Sequence, residues 1–227
     1  MVKDLIVFDM DGVLVDVTAS YRATIQATVK HFSGYEPPAD EIQDWKNRGG
    51  WNDDWKLSHA MIYERGKSTP FDTVVDRFQQ IFHGNGSDGL ILREQWIAED
   101  GLFDRLGAAY QLAVFTGRLQ WEAQVTLKRF LPDVFEPIVG IDDVQKGKPD
   151  PEGLVKICSS TLHRKAWYVG DTVDDARASS AAQVPFIGIA SAASPRRKDL
   201  VRLLRNEGAV VVIEDINGLE SAIAANS

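Results

Sequence analysis

The sequence predicts an α/β fold: a doubly wound parallel sheet, interrupted after its first strand by an all-helical insert. Three observations carry this reading. Short continuous apolar runs recur along the chain, beginning with Leu5-Ile6-Val7-Phe8, and read as strands buried on both faces. From about residue 94 these runs alternate with helical patterns over short connections, which implies a parallel sheet covered on both sides. Between Val17 and about Phe82 no such strand appears and the apolar spacing is helical throughout. The expected organisation is therefore a core of residues 1–15 and 93–227 and a helical cap of residues 16–92.

Each element has a local reason. Leu5–Phe8 is branched and aromatic and ends abruptly in Asp9-Met10-Asp11-Gly12. In the insert, Tyr21, Ile25, Thr28, Val29 and Phe32 fall at helical spacing, until Ser33-Gly34 and Pro37-Pro38 break the run. Ile42 and Trp45 suggest a short second helix, and Arg48-Gly49-Gly50 a loop. Asn52 reads as the N-cap of a third helix, with Asp53 and Asp54 in its first turn. Phe71, Val74, Val75, Phe78, Ile81 and Phe82 mark a strongly amphipathic fourth helix, followed by the glycine-rich segment 84–89.

The α/β part starts with a helix expected over 94–106. Strands follow at Leu112–Phe115, Pro137–Gly140, Ala166–Val169, Phe186–Ile189 and Val210–Ile213. Helices are expected at 121–130, 151–159, 175–182 and 196–206 between them.

Composition narrows the function. A chain of 227 residues, 44% hydrophobic, buries a substantial core as one or two domains. A net charge of −8 argues against general nucleic-acid binding. The single cysteine, Cys158, excludes an internal disulfide, fits a reducing compartment, and sits in a helical apolar pattern as a small core residue. No apolar run is long enough to span a membrane, and Asp4, Asp9 and Asp11 interrupt the N-terminal stretch where a signal peptide needs apolar residues. The expectation is a soluble cytoplasmic protein. The basic stretch Arg196, Arg197, Lys198, Arg202 and Arg205 reads as a solvated helix face, and His163 as a surface residue.

The chemistry concentrates at strand ends. The first strand ends in Asp9 and Asp11, the second in Thr116-Gly117, and the fourth in Asp171, with Asp174 and Asp175 just beyond. Lys148 stands before a proline-bounded helix start after the third strand, with Lys146 as a competitor two positions earlier. In a parallel sheet all strand C-termini share one edge, so these groups converge where such folds bind ligands. Each has an ordinary alternative. Asp-x-Asp-Gly is a common turn, Thr116 could cap a helix, Lys148 could be solvated, and the later acids could match a helix dipole. Two converging carboxylates repel unless a cation or a shared proton relieves them, which suggests a magnesium site, a proton-sharing pair, or both. Phosphoryl transfer uses the whole set, because a phosphate needs its charge neutralised and its oxygens held.

Four motifs, Phe8-Asp9-Met10-Asp11-Gly12-Val13-Leu14, Phe115-Thr116-Gly117-Arg118, Lys148-Pro149-Asp150-Pro151 and Val169-Gly170-Asp171-Thr172-Val173-Asp174-Asp175, resemble in order those of the haloacid dehalogenase-like superfamily. A helical insert directly after the first is similar to its C1-type cap, as in the phosphoglycolate phosphatase and β-phosphoglucomutase branch. The resemblance implies a magnesium-dependent phosphatase on a Rossmann-like core. Asp9 would be the nucleophile that forms an aspartyl-phosphate, and Asp11 the general acid and then base. Asp9, Asp171 and the Asp11 carbonyl would hold the metal, and Thr116, Gly117 and Lys148 the phosphoryl group. Asp175 would orient Lys148 or a metal-bound water, with Asp174 as a second contributor. An acid at position 11 favours phosphate chemistry over halide removal. Nothing marks Lys30, Lys46 or Lys56 as the Schiff-base lysine of phosphonate hydrolysis.

In capped members the insert reads the leaving group. The candidate segment is Trp45–Trp55, with Arg48, Lys46 and Asn52 as possible substrate contacts. The expected partner is a small phosphorylated metabolite, bound by a monomer or homodimer. A sugar phosphomutase of the same fold and a non-catalytic phosphometabolite sensor are the alternatives.

Overall fold

The computed structural model describes residues 2–131 and 133–226, which form two compact units, Met1–Val15 with Trp96–Ser227, and Asp16–Gln95. In chain order the elements are β1 (Asp4–Phe8), β2 (Val15–Asp16), α1 (Ala23–Ser33), α2 (Ala39–Arg48), α3 (Asp54–Glu64), α4 (Phe71–His83) and β3 (Gln95–Trp96). There follow α5 (Leu102–Ala109), β4 (Tyr110–Phe115), α6 (Gln120–Phe130), β5 (Ile138–Val139), α7 (Glu152–Ser160), β6 (Ala166–Gly170), α8 (Val173–Ala181), β7 (Phe186–Ile189), α9 (Arg197–Asn206), β8 (Val211–Ile213) and α10 (Leu219–Asn226).

The larger unit is built on a six-stranded sheet in the order β5-β4-β1-β6-β7-β8, with every pairing parallel. The winding reverses between β1 and β6, the topological switch point at which open α/β sheets bind ligands. β1 lies at the centre, and Leu5, Ile6, Val7 and Phe8 are wholly buried. That is why this strand reads as an unbroken apolar run rather than an alternation. Leu5 and Val7 face a core shared with Leu154 and Ile157 of α7, Ala176 and Ala178 of α8, and Leu200 and Leu204 of α9. Phe8 meets Phe103 of α5 and Phe135 edge-on, with ring centroids 5.7 and 5.8 Å apart. Helices therefore cover both faces, as expected from sequence.

The smaller unit is helical. Tyr21, Phe78 and Phe82 form its aromatic centre, with the Tyr21 and Phe82 rings 4.1 Å apart. The chain passes from one unit to the other at Val15–Asp16 and again at Gln95–Trp96, and these two short segments pair as β2 and β3.

Two local expectations are corrected and one element is added. Residues 94–101 are not helical: Gln95–Trp96 is strand, and the helix begins only at Leu102. Pairing with Val15–Asp16, and the bond from Ile97 N–H to the Leu14 carbonyl at 3.1 Å, outweigh the local helical pattern. The N-cap of α3 is Asp53, not Asn52, because the Asp53 carboxylate sits where it accepts from Trp55 N–H at 3.0 Å and Lys56 N–H at 3.1 Å. The sequence reading also passed over α10, whose Leu219, Ala222 and Ile223 are buried.

Candidate active site

Register alone gathers the strand-end residues. Phe8 lies beside Val114 on one neighbour and Val169 on the other, so the next residues of all three strands emerge together. The Asp9 N–H still bonds to the Val169 carbonyl, at 2.8 Å, which fixes the Asp9 backbone as the strand ends. Three residues on, Gly12 takes φ +74°, and a Cβ there would stand 2.1 Å from Asp171 Oδ2. A side chain at position 12 would thus occupy the space that the Asp171 carboxylate fills.

Lys148 arrives from the other side. Gly153 in the first turn of α7 lies so close to β4 that a Cβ would meet the Phe115 ring at 2.2 Å. This close approach carries Lys148, just upstream of the helix, over the Phe115 ring at 5.1 Å. Its ammonium is buried and donates to Asp9 Oδ1 at 2.6 Å and Asp175 Oδ1 at 2.7 Å. Lys146, its competitor in sequence, is exposed.

Asp175 is held on every side. Oδ1 accepts from Lys148 and from the Tyr168 hydroxyl, at 2.7 Å each, and Oδ2 from the Thr172 N–H at 3.0 Å and hydroxyl at 2.6 Å. A carboxylate offers about four acceptor directions, and all of them are filled. The Thr172 hydroxyl accepts in turn from Asp175 N–H at 3.1 Å, completing a capping box at the start of α8.

The electrostatics follow. Burial opposes ionisation of Asp175, but Lys148, Thr172 and Tyr168 hold its carboxyl below the usual range. Burial likewise opposes the charged Lys148, yet Asp175 and Asp9 hold its ammonium above the usual lysine value. Asp9 goes the other way. Burial pushes its carboxyl well above the usual range, and the charges of Asp175, Asp171 and Asp11 add to that against the pull of Lys148. Burial, then the Asp175 and Asp9 charges, push the Tyr168 hydroxyl up, so it remains a donor.

Among the remaining expected residues, Thr116 is buried, and its hydroxyl accepts from Arg118 N–H at 3.2 Å. Gly117 follows at the same strand end. Asp174 is buried, and its charge acts on Arg177 of the same helix. Asp11 is half-buried and pairs with Arg118, whose Nε donates to Oδ1 at 2.8 Å. In the smaller unit, Lys46 is paired with Asp54 at 2.6 Å, and Arg48 lies over the Trp45 ring at 5.0 Å. The sequence reading gave no role to Tyr168 or Arg118. Arg118 stood in a quoted motif, next to Thr116-Gly117, and its position was the available signal. Tyr168 carried none beyond being a phenol in a strand otherwise apolar.

Four carboxylates (Asp9, Asp11, Asp171 and Asp175) thus meet two cations (Lys148 and Arg118). One oxygen from each of Asp9, Asp171 and Asp175 lies within 4.8 Å of the other two. The shortfall of positive charge equals one divalent cation, and a hard oxygen donor set suits magnesium.

A Rossmann-like sheet carrying a carboxylate-rich, lysine-bridged site at its switch point defines a class of α/β enzyme with its ligand site at that sheet edge. Comparison with known proteins names the family. A model of haloacid dehalogenase-like hydrolases matches residues 6–189, and the chain belongs to that family. It is 31% identical over 181 residues to an imidazoleglycerol-phosphate dehydratase of Phytophthora nicotianae, covering 75% of this chain but spanning only 39% of that protein. It is 23% identical over 199 residues to a phosphoglycolate phosphatase of Psychrobacter arcticus, covering 83% of this chain and 84% of the relative. A solved haloacid dehalogenase-like protein of unknown function from Agrobacterium tumefaciens superposes with TM-score 0.75 at 20% identity, over 99% of both chains. No helix among the described residues is long and apolar enough to cross a membrane.

Proposed function

We propose that the protein is a magnesium-dependent phosphomonoester hydrolase that acts on a small phosphorylated metabolite through an aspartyl-phosphate on Asp9. The observation that carries this reading is the buried Asp9 carboxylate at the sheet's switch point, joined to Lys148 and short of compensating charge. Asp9, Asp171 and the Asp11 carbonyl would hold the metal. Asp175 orients Lys148 rather than binding the ion, since its acceptor directions are already filled. Bound there, magnesium would supply the missing positive charge and hold oxygens of the phosphoryl group.

The chain's own residues do the rest. An Asp9 oxygen attacks phosphorus as the bond to the leaving alkoxide breaks, and Asp11 gives that alkoxide its proton. Lys148 and the Thr116 hydroxyl, with the Gly117 N–H, stabilise the equatorial oxygens. Water then attacks the same phosphorus and returns a proton to Asp11. The acyl–phosphate bond breaks, freeing inorganic phosphate and the Asp9 carboxylate. The Asp16–Gln95 unit serves as the cap that selects the leaving group. Arg48 and Asn52 are its candidates for contact, whereas Lys46 is engaged with Asp54. Cytoplasmic residence fits the single cysteine.

The names of relatives such as the phosphoglycolate phosphatase support hydrolysis. The test is turnover in isotope-labelled water with magnesium present. One solvent oxygen in the released phosphate, lost in Asp9→Asn, is expected. Transfer of the phosphoryl group to a sugar without solvent oxygen would identify a mutase, and binding without turnover a sensor.

A further inference from the structure

Arg118 is a fully buried arginine, 2% exposed, that the chemistry above does not use. Its main chain is fixed at the end of β4, where its N–H bonds to the Thr116 hydroxyl at 3.2 Å. Its guanidinium is fixed at two further points. Nη1 donates to the Thr126 hydroxyl on α6 at 3.0 Å, and Thr126 is itself wholly buried. Nε donates to Asp11 Oδ1 at 2.8 Å, and Nη2 stands 2.5 Å from the same oxygen. Both contacts fall on Oδ1. Among the described residues no hydrogen bond engages Asp11 Oδ2.

We propose that Arg118 is the positioning residue of the acid/base step: anchored on Thr126, it engages Asp11 Oδ1 and leaves Oδ2 to carry the proton that goes to the leaving group. This rests on the hydrolase reading above. A guanidinium only donates, so it bonds to the oxygen of a carboxylic acid that bears no proton. With Oδ1 taken, the acid's proton sits on Oδ2. As the P–O bond to the leaving group breaks, that proton passes to the departing alkoxide oxygen. The carboxylate left behind keeps its negative charge against the guanidinium. In the second half-reaction Oδ2 is again the oxygen that accepts a proton from water. Arginine is suited to this task because its rigid fork presents donors to Thr126 Oγ1 and Asp11 Oδ1 in one plane, whereas a lysine ammonium fixes no such plane.

The step that Arg118 serves matters only when the leaving group needs a proton. An alkyl phosphate leaves as a strongly basic alkoxide, whereas 2,4-dinitrophenyl phosphate leaves as a weakly basic phenoxide. General acid catalysis is worth about 10²–10⁴-fold, and misplacing a catalytic group costs about 10²-fold. For Arg118→Met, kcat/KM on an alkyl phosphate should fall about 30- to 100-fold further than on the dinitrophenyl ester. Adding the same change to Asp11→Asn should cost nothing more on the alkyl ester. Thr126→Val, which removes only the anchor, should show the same preference at smaller size. Arg118→Lys should recover part of the alkyl-ester loss. Equal losses on both esters, or full additivity with Asp11→Asn, would overturn the proposal. If Arg118→Met does not fold, Thr126→Val and Arg118→Lys decide by the same ratio. A wild-type enzyme that hydrolyses neither ester would refute the hydrolase reading instead, which is a distinct outcome.

Discussion

Replacing Asp9 by asparagine should make the metal-free protein more stable while it removes the proposed nucleophile. Asp9 Oδ1 lies 2.6 Å from the Lys148 ammonium, an attraction of about 6 kcal/mol at an effective dielectric of about 20. Oxygens of Asp171 and Asp175 lie within 4.8 Å, two repulsions of about 3.5 kcal/mol each on the same scale. Attraction and repulsion nearly cancel, so the cost of burying the Asp9 charge stands uncompensated. Asparagine keeps an acceptor for Lys148 and carries no charge. The expected gain is about 1–3 kcal/mol, at about 2–4 °C of melting temperature per kcal/mol for a chain of this size.

The pH dependence has a definite sign. The Asp9 carboxyl titrates well above its usual value in the folded state, so between the two values the folded state binds more protons than the unfolded one. Wild-type stability therefore falls as pH rises through that window, and the advantage of Asp9→Asn grows with it. Asp175, held low, acts oppositely: its contribution is lost as pH falls towards its folded value, in both proteins alike. Scanning calorimetry in EDTA across this range reads the difference directly. Magnesium should then raise the melting temperature of the wild type and leave Asp9→Asn nearly unmoved. A metal-free Asp9→Asn that melts below the wild type at neutral pH would refute the charge-shortfall argument and the metal assignment that rests on it.

Other substitutions test separate parts of the structure. Gly12→Ala meets both an unfavourable φ and the Asp171 carboxylate. It should cost at least about 1–2 kcal/mol and weaken magnesium binding measured by calorimetric titration. Lys148→Met leaves Asp9 and Asp175 buried without a counter-charge, so a loss of about 3–5 kcal/mol is expected by urea denaturation at neutral pH, shrinking in Lys148→Met with Asp9→Asn. Phe78→Ala removes a wholly buried ring from the helical unit, with an expected loss of about 3–5 kcal/mol followed by the helical circular dichroism signal.

Much of the fold was legible because it depends on local pattern. The run Leu5–Phe8, the proline and glycine breaks around Gly34, and the helical spacing up to Phe82 are properties of neighbouring residues. The misread segment, 94–101, has a helical local pattern, and only pairing with Val15–Asp16, some eighty residues away, makes Gln95–Trp96 a strand. The site was legible to the extent that strand ends must converge in a parallel sheet. Arg118 was not, because the role proposed for it depends on Asp11 and on Thr126, which meet it only in the folded chain. Tyr168 was not, because a strand buried on both faces gives no sign that one of its side chains carries a required hydrogen bond.

The same distinction separates two roles for Asp175 that sequence spacing leaves open. Spacing places Asp171 and Asp175 four residues apart at one strand end, and both are carboxylates within reach of a common ion. What marks Asp175 is the number of donors it already satisfies. Asp175 meets four, from Lys148, Tyr168 and two groups of Thr172, and moving any oxygen onto a metal would strand one of those donors in a buried place. An unpaired buried donor costs about 1–3 kcal/mol, which opposes moving Asp175 onto an ion. The fully bonded carboxylate is therefore suited to holding a lysine still, in keeping with the proposal that leaves the cation to Asp9, Asp171 and the Asp11 carbonyl.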